Sequence, residues 1–441
     1  MEPEHHRTSI SIAAYLRLVR ENRNFRNLWC AQIVSELGDW FYTVALYSLL
    51  LQLTGRASSV ALALVVQVLP QTVVSPLTGV VNDRVSRKRV MIMADVARFG
   101  IVLAMLLVRS RSMVWLVYPL LFLETVMWAF FEPARNAVIP NISEKEDVIL
   151  ANTLSSTTWS LNLMIGAALG GAVAALLGRD AVFVINGLSF LVSALFIARM
   201  KFVEPHAEAA SPLRLRELVD HSPIVEGMRY VRADRRLLAT VFAKAGELMI
   251  GPSWVLFTVM GERYFPVRWE GIDPQRAGIL GMSLLLGARG LGALFGPLLG
   301  ARFAGHSDRK LRLGILWGYL ITAIGYMALG GAANVWIACL CIMVAHGGGS
   351  TIWVFSTTLL QLHTDDRFRG RVFAADLAFV MLTIAVGAYL CGRFLDWGTS
   401  ARVVATAVGI LMLAPAALWA WAMRAGKAGQ AVQAADTGSP L

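Results

Sequence analysis

Long apolar runs recur along almost the whole chain, and they limit its possible folds more than any other feature. An α-helix needs about 20 apolar residues to cross the hydrocarbon core of a bilayer. The backbone of such a span must satisfy its own hydrogen bonds, which favours helix. Apolar residues make up 56% of the chain and charged residues only 16%, whereas soluble domains carry about 25% charged residues. The sequence therefore predicts an all-α membrane protein and excludes a water-soluble one.

Charged breaks divide the apolar runs into two sets of six, separated by a polar stretch with many charges and several prolines. The predicted organisation is a cytoplasmic amphipathic N-terminus at 1–27, an N-terminal six-helix bundle at 28–199, a cytoplasmic linker at 200–235, a C-terminal six-helix bundle at 236–423, and a disordered cytoplasmic tail at 424–441. The predicted spans are 28–53, 57–81, 89–108, 113–139, 149–177, 181–199, 236–262, 276–304, 311–330, 333–361, 370–397 and 400–423.

The positive charge is distributed as in a membrane protein rather than a nucleic-acid-binding one. The net charge is +11, and about 27 Lys and Arg lie in the N-terminus, the even-numbered loops and the C-terminus, against about 8 in the odd-numbered loops. Basic loops stay in the cytoplasm, so both termini are predicted to be cytoplasmic in a multi-pass protein of the bacterial inner membrane. No catalytic, nucleotide or metal motif is found, so no enzyme activity, cofactor or metal site is expected.

The segment between the second and third spans, 79–89, reads GVVNDRVSRKR. It resembles the signature loop of the major facilitator superfamily, Gly-x-Leu-x-Asp-Arg-x-Gly-Arg followed by Lys or Arg. Ser86 stands where the superfamily has its second glycine, which predicts a relaxed turn. Glu132 and Arg135 lie at i and i+3 near the cytoplasmic end of span four, where they could form a gate with Asp83. The candidate gate residues are Gly79, Asp83, Arg84, Arg87, Lys88, Glu132 and Arg135.

Further segments agree with this resemblance. PARNAVIP at 133–140, ANTL at 151–154, FVINGLSF at 183–190 and GRV at 370–372 are similar to the subgroup that holds siderophore exporters, macrolide efflux pumps and lysophospholipid transporters. The resemblance implies the major facilitator fold, twelve transmembrane helices in two six-helix bundles. An internal repeat, ELGD at 36–39 and KAGE at 244–247, also favours two related halves.

A glycine-rich stretch in span five, GAALGG at 166–171, resembles a motif of exporters that run as antiporters. Ala167 stands where that motif has proline. Small residues also allow membrane helices to pack closely, so both an antiporter role and a packing role stay open. The residues concerned are Gly166, Gly170 and Gly171.

Charged residues inside the spans carry the most chemical information, because each costs about 2.5–3.5 kcal/mol at the centre of a membrane helix. Asp39 lies about 16 Å from the cytoplasmic end of its span, and its like-charged neighbour Glu36 makes it harder to ionise both carboxyl groups. Lys244 could pair with Glu247 one turn later. The candidate residues for proton coupling or a substrate cavity are Asp39, Glu36, Glu124, Glu247, Lys244, Arg289, Trp40 and Thr43.

These patterns predict a secondary transporter that exports a small amphiphilic or chelating organic molecule, of the drug or siderophore class, by alternating access and with protons as the coupling ion. The alternatives are a lysophospholipid facilitator without protons, a metal-ion exporter, and a non-transporting scaffold or receptor. The expected partners are the small-molecule substrate, protons and the lipid bilayer, and the chain is expected to be a monomer without a nucleic-acid partner.

Overall fold

The structure is a computed structural model, and its described residues are 12–144, 147–204, 222–268, 273–304 and 307–424. Within these ranges the chain is almost entirely helical and contains no strand, which confirms the predicted all-α class. The α-helices are α1 Ile12–Glu21, α2 Arg23–Thr54, α3 Ala57–Arg84, α4 Arg87–Ala104, α5 Val117–Ile142, α6 Val148–Leu177, α7 Arg179–Ala198, α8 Ser222–Ala233, α9 Arg235–Ala245, α10 Ile250–Arg263, α11 Pro274–Ala304, α12 Asp308–Gly330, α13 Val335–His363, α14 Asp366–Asp396 and α15 Ala401–Leu411, with further helix at 413–424.

Nine helical stretches in the described part of the chain are long and apolar enough to cross a membrane. They correspond to nine of the predicted spans, and α2, α3 and the pair α9–α10 occupy the other three. The chain is therefore a multi-pass membrane protein, while the count of twelve stays a prediction.

The seventh predicted span, 236–262, is wrong as a single helix. It is divided into α9 and α10 by a non-helical segment at 246–249. Pro252 favours the break, because its ring lacks an N–H and clashes with the carbonyl four residues earlier in a continuous helix. Proline is tolerated in the first turn of a helix, and Pro252 lies in the first turn of α10. Glu247 consequently lies in the break rather than on a helix.

Short connections separate several helices. Gly55, Gly178 and Gly398 have φ of +67°, +89° and +92°, which is the left-handed region that glycine enters without strain. These glycines reverse the chain between α2 and α3, between α6 and α7, and between α14 and α15. Local side chains begin other helices: the Asn334 side chain accepts hydrogen bonds from two backbone N–H groups at the start of α13.

Contacts gather the chain into two compact units, residues 1–46 with 73–220 and residues 47–72 with 221–441. In the first unit a buried apolar cluster joins α1, α2, α4, α5, α6 and α7, with Phe25, Met91 and Val138 at its centre. The N-terminal helix α1 adds Leu18 to this cluster, and its Arg17 donates to Asp147 at 2.9 Å. One face of this amphipathic helix is therefore packed against protein.

Glycines bring helices of the second unit into close contact. A Cβ atom on Gly292 or Gly296 of α11 would lie within 2.2 Å of backbone oxygens of α13. Gly318 of α12 is equally confined by α13, where a Cβ would lie 2.8 Å from the oxygen of Gly348. Small residues permit this approach because membrane helices associate by close van der Waals packing. The glycines of span eight are therefore packing residues.

Candidate transport site

A buried guanidinium lies at the centre of the first unit. Arg98 of α4 donates to Asp39 of α2 at 2.8 Å and to Glu124 of α5 at 3.0 Å. Asp95, one turn before Arg98, lies 3.7 Å from the same guanidinium. The Phe190 ring covers it, with its centroid 3.9 Å from the Arg98 Cζ atom. Three carboxyl groups from three helices therefore share one positive charge in a site closed by an aromatic ring.

Exposure differs among the three carboxyl groups. The Asp39 side chain is 28% exposed, that of Glu124 10%, and that of Asp95 0%. Neither carboxyl oxygen of Asp95 has a hydrogen bond. A carboxylate is costly to bury without hydrogen bonds, so Asp95 is the least well satisfied of the three carboxyl groups. Asp39 is thus the most exposed of the three carboxyl groups, and its role in proton exchange stays a prediction.

A close approach of helices positions Asp39. A Cβ atom on Gly38 would lie 2.5 Å from both the Asn186 Oδ1 and the Ser189 Oγ of α7. The absence of a side chain at Gly38 lets α2 lie against α7, next to Phe190. Sequence reasoning identified Asp39 and Glu124 but did not link them to Arg98, and it missed Asp95. The i, i+3 spacing of Asp95 and Arg98 inside an apolar span was the available signal.

Glu36 faces a different arginine from the one that holds Asp39. Its Oε1 lies 3.8 Å from Arg135 of α5, which also donates to Glu132. Glu36 further accepts hydrogen bonds from Gln32 at 2.9 Å and from Asn162 at 3.1 Å. Glu36 and Asp39 therefore have different arginine counter-ions, Arg135 and Arg98. Each counter-ion offsets part of the repulsion that the sequence predicts between the two carboxyl groups. Glu132 and Arg135 form an ion pair within α5, and Glu36 lies beside the same arginine; their role in a gate stays a prediction.

Two other candidates on α2 have local structural contacts. The Thr43 hydroxyl donates to the backbone oxygen of Asp39 at 2.8 Å within the helix. The Trp40 ring meets Trp159 edge to face at 5.9 Å between centroids. A Cβ on Gly166 would lie 2.6 Å from the Cβ of Trp40.

The glycine stretch of span five packs α6 against α2. A Cβ on Gly170 would lie 2.7 Å from the Cα of Phe41, and Gly171 is buried. This geometry gives Gly166 and Gly170 the packing role that the sequence left open. An antiporter role stays a prediction.

The predicted gate loop is described in part. The side chain of Asp83 lies outside the described residues, and Gly79 belongs to α3. Ser86 is the N-cap of α4, where its Oγ accepts from the Arg89 N–H at 3.3 Å and donates to Glu204 at 2.5 Å. The relaxed turn expected at Ser86 is thus a capped helix start, because a serine hydroxyl satisfies a free N–H group that glycine cannot.

The basic residues of the same loop bind the ends of other helices. Lys88 Nζ donates to the backbone oxygens of Ala198 at 2.9 Å and Met200 at 2.6 Å, at the end of α7. Arg87 donates to the oxygen of Ala137 in α5 at 3.1 Å. A cation near a helix C-terminus stabilises the exposed carbonyl groups there. Arg84, at the end of α3, also has interaction partners.

A second buried ion pair lies in the second unit. Lys244 Nζ at the end of α9 donates to Asp376 Oδ2 of α14 at 2.6 Å, and its side chain is 4% exposed. It also lies 4.8 Å from the ring centroid of Trp353. The sequence left open a pair between Lys244 and Glu247, but the salt-bridge partner of Lys244 is Asp376. The helix break explains the difference, because it removes the i, i+3 geometry that would have brought the two side chains together.

Glu247 is buried in this break, and its Oε1 has no hydrogen-bond partner. Broken helices in transporters expose backbone and side-chain groups near ion and substrate sites. His346 of α13 is also buried and hydrogen-bonds to the Tyr326 hydroxyl at 3.1 Å. This bond gives the buried imidazole a hydrogen-bonding partner. Arg289, in the middle of α11, has its guanidinium 3.9 Å above the Trp254 ring.

Comparisons with known proteins agree with this architecture. Macrolide efflux protein A of Streptococcus pyogenes is 26% identical over 383 residues, which are 84% of this chain and 89% of the relative. A candidate bacilysin exporter, BacE of Bacillus amyloliquefaciens, is 27% identical over 321 residues, covering 72% of this chain and 76% of the relative.

Solved structures share the fold at low identity. The nucleoside transporter NupG, as a D323A mutant, superposes with a TM-score of 0.70 at 11% identity, covering 90% of this chain and 99% of that one. A bacterial homologue of the human lysosomal transporter Spinster, inward-facing and unoccupied, gives a TM-score of 0.65 at 15% identity, covering 91% and 97%. Residues 17–439 match MFS_3, the family described as transmembrane secretion effector. The chain belongs to this family of the major facilitator superfamily.

Proposed function

We propose that the protein is an efflux transporter that exports a small amphiphilic or chelating organic molecule by alternating access, with protons as the coupling ion. The Arg98 site is the observation that carries the proposal. If Asp39, Glu124 and Asp95 were all ionised, the site would hold three negative charges and one positive charge. A proton bound there reduces the net negative charge of the site, and release of the proton restores that charge.

A change in protonation can be linked to a change in conformation. The ion pairs of Arg98 join α2, α4 and α5, so a proton on Asp39 weakens one of the links between these helices. A coupling ion acts by binding one conformation more strongly than the other. In this proposal Asp39 carries the proton, Glu124 is the alternative carrier, and Arg98 keeps both carboxyl groups in place.

Gating is proposed for the loop at 79–89 together with Arg135, Glu132 and Glu36. Arg135 already connects α5 to α2 through Glu36, and Arg87 connects the loop to α5. Asp83, whose side chain lies outside the described residues, is the proposed further partner. In this proposal the basic loops, both termini and the linker lie in the cytoplasm, and the membrane is the bacterial inner membrane.

The test uses the full-length protein in proteoliposomes with an imposed pH gradient. Erythromycin is the first compound to examine, because the relatives include a macrolide efflux protein. Wild-type protein is expected to accumulate it only when the gradient is present. Asp39→Asn keeps the size of the side chain but cannot ionise, so it should abolish accumulation while downhill exchange partly survives. Asp180→Asn is the matched control, because Asp180 pairs with Arg109 at 2.5 Å on an exposed surface.

The alternatives give different results in the same vesicles. Equal transport with and without the gradient, or full gradient-driven accumulation by Asp39→Asn, would contradict the proposed role of Asp39. In the second case Glu124→Gln and Glu247→Gln identify the carrier. Movement of a lysophospholipid without a gradient would favour a facilitator, and uptake of divalent ions would favour a metal exporter. A scaffold would move none of these compounds.

A further inference from the structure

Arg289 differs from the buried bases Arg98, Arg135 and Lys244 in having no carboxylate partner among the described residues. Arg98 pairs with Asp39 and Glu124, Arg135 with Glu132, and Lys244 with Asp376. Arg289 lies at the midpoint of α11, Pro274–Ala304, and is partly exposed. Its Nη1 atom is buried and makes no hydrogen bond. A positive charge and a donor are thus left uncompensated deep inside a membrane helix, where both are costly.

Aromatic groups surround the guanidinium. The Trp254 ring of α10 lies beneath it at 3.9 Å, and Tyr47 of α2 meets Trp254 edge to face at 6.1 Å. Among the described residues, the Tyr47 and Tyr326 phenols and the His346 imidazole interact electrostatically with Arg289. These groups supply no negative charge, since a phenol is neutral near neutral pH.

The neighbouring phenols also have other partners. Tyr47 donates to the Gln67 side chain at 2.6 Å, and Tyr326 is hydrogen-bonded to His346. A purely structural role for Arg289 would rest on its contact with Trp254. A cation–π contact attracts the charge but neither neutralises it nor satisfies the N–H donors. The contact therefore explains the orientation of the guanidinium but not why a charge is kept there.

We infer that Arg289 binds an anionic group, such as a carboxylate, of the exported molecule, while the aromatic surface of Trp254 and Tyr47 holds an apolar part of the same molecule. The guanidinium offers paired N–H donors that match a carboxylate, and such bonds are stronger than neutral ones. The inference rests on the proposed export function and narrows it: the substrate class is an amphiphilic organic anion or zwitterion rather than a purely cationic amphiphile.

The test compares two dyes that share one ring system and differ in a single group. Rhodamine 110 carries a free carboxylate, and rhodamine 123 is its methyl ester. Fluorescence anisotropy measures the binding of each dye to full-length protein in dodecyl maltoside micelles, which contain no lipid phosphate, with empty micelles as the background. Wild-type protein is expected to bind the acid about tenfold more tightly than the ester, the lower end of the range for a hydrogen bond to a charged group.

Arg289→Gln is expected to remove this preference. Arg289→Lys keeps the charge but loses the paired donors, so it should retain part of the preference for the acid. This variant replaces the Gln variant in the test if the latter does not fold. Arg393→Gln is the matched control, because Arg393 also lies over a tryptophan, at 5.1 Å from the Trp397 centroid, and it should leave the preference unchanged.

Three results would overturn the inference: binding of neither dye by wild-type protein, equal binding of both, or an unchanged preference in both Arg289 variants. The measurement is made at equilibrium without a pH gradient. A failure of proton-driven transport and a failure of anion recognition are therefore seen in separate experiments.

Discussion

Replacing Lys244 by Met is expected to destabilise the protein strongly. Its Nζ lies 2.6 Å from Asp376 Oδ2, and the two side chains are 4% and 3% exposed. Removal of one partner of such a buried pair leaves a carboxylate without its counter-ion and costs about 3–5 kcal/mol. Glu247, buried nearby with an unbonded oxygen, adds a second carboxyl group to the same region. At about 2–4 °C per kcal/mol, the midpoint of thermal unfolding should fall by roughly 6–20 °C.

The assay is thermal unfolding of purified protein in micelles, followed by intrinsic fluorescence. Glu226→Gln is the control, because its pair with Arg371 has a similar length of 2.8 Å but is 44% and 42% exposed, and exposed pairs contribute about 0–1 kcal/mol. The double variant Lys244→Met with Asp376→Leu should recover much of the loss, since it buries no unpaired partner.

Acid should also rescue the Lys244→Met variant in part. Protonation of Asp376 and Glu247 removes the unpaired negative charges, so the deficit relative to wild type should be smaller at pH 5 than at pH 8. The reasoning fails if Lys244→Met is no less stable than Glu226→Gln, or if the double variant is as unstable as the single one.

Three further predictions concern packing, capping and topology. Gly170→Ala should lower the free energy of unfolding by about 1–3 kcal/mol, because the new Cβ would lie 2.7 Å from a backbone atom of α2. Gly100 has open space around it, so Gly100→Ala should be neutral or stabilise the protein by up to about 1 kcal/mol. The melting temperatures of the two variants test this difference. Ser86→Ala should lower stability by about 1 kcal/mol through loss of the α4 cap, and an unchanged melting temperature would contradict the role of that cap. A cysteine introduced into the linker 200–235, in a variant without the native cysteines, should react with impermeant reagents only after the cytoplasmic side is opened, and labelling from outside intact cells would reverse the proposed topology.

The membrane class and most span positions could be predicted from the sequence because insertion depends on local apolar length. The two ends of α2, Arg23–Thr54, extend the predicted span 28–53 by only a few residues. Caps are equally local: the signal of Asn334 before α13 lies within three residues of its partners. The break at 246–249 was in principle readable from Pro252, and it was missed because a mostly apolar run continues on both sides of it.

The pairing of charges, by contrast, was decided only by tertiary structure. Asp39 and Arg98 are 59 residues apart, and Lys244 and Asp376 are 132 apart. The pattern of apolar residues predicts which segments lie inside the bilayer. It does not predict which helices pack together, because an apolar helix surface can pack against many different helices. Arg289 shows the difference most clearly: the sequence identified a charge within a span, and only the packing of α11 beside Trp254 left that charge without a carboxylate among the described residues.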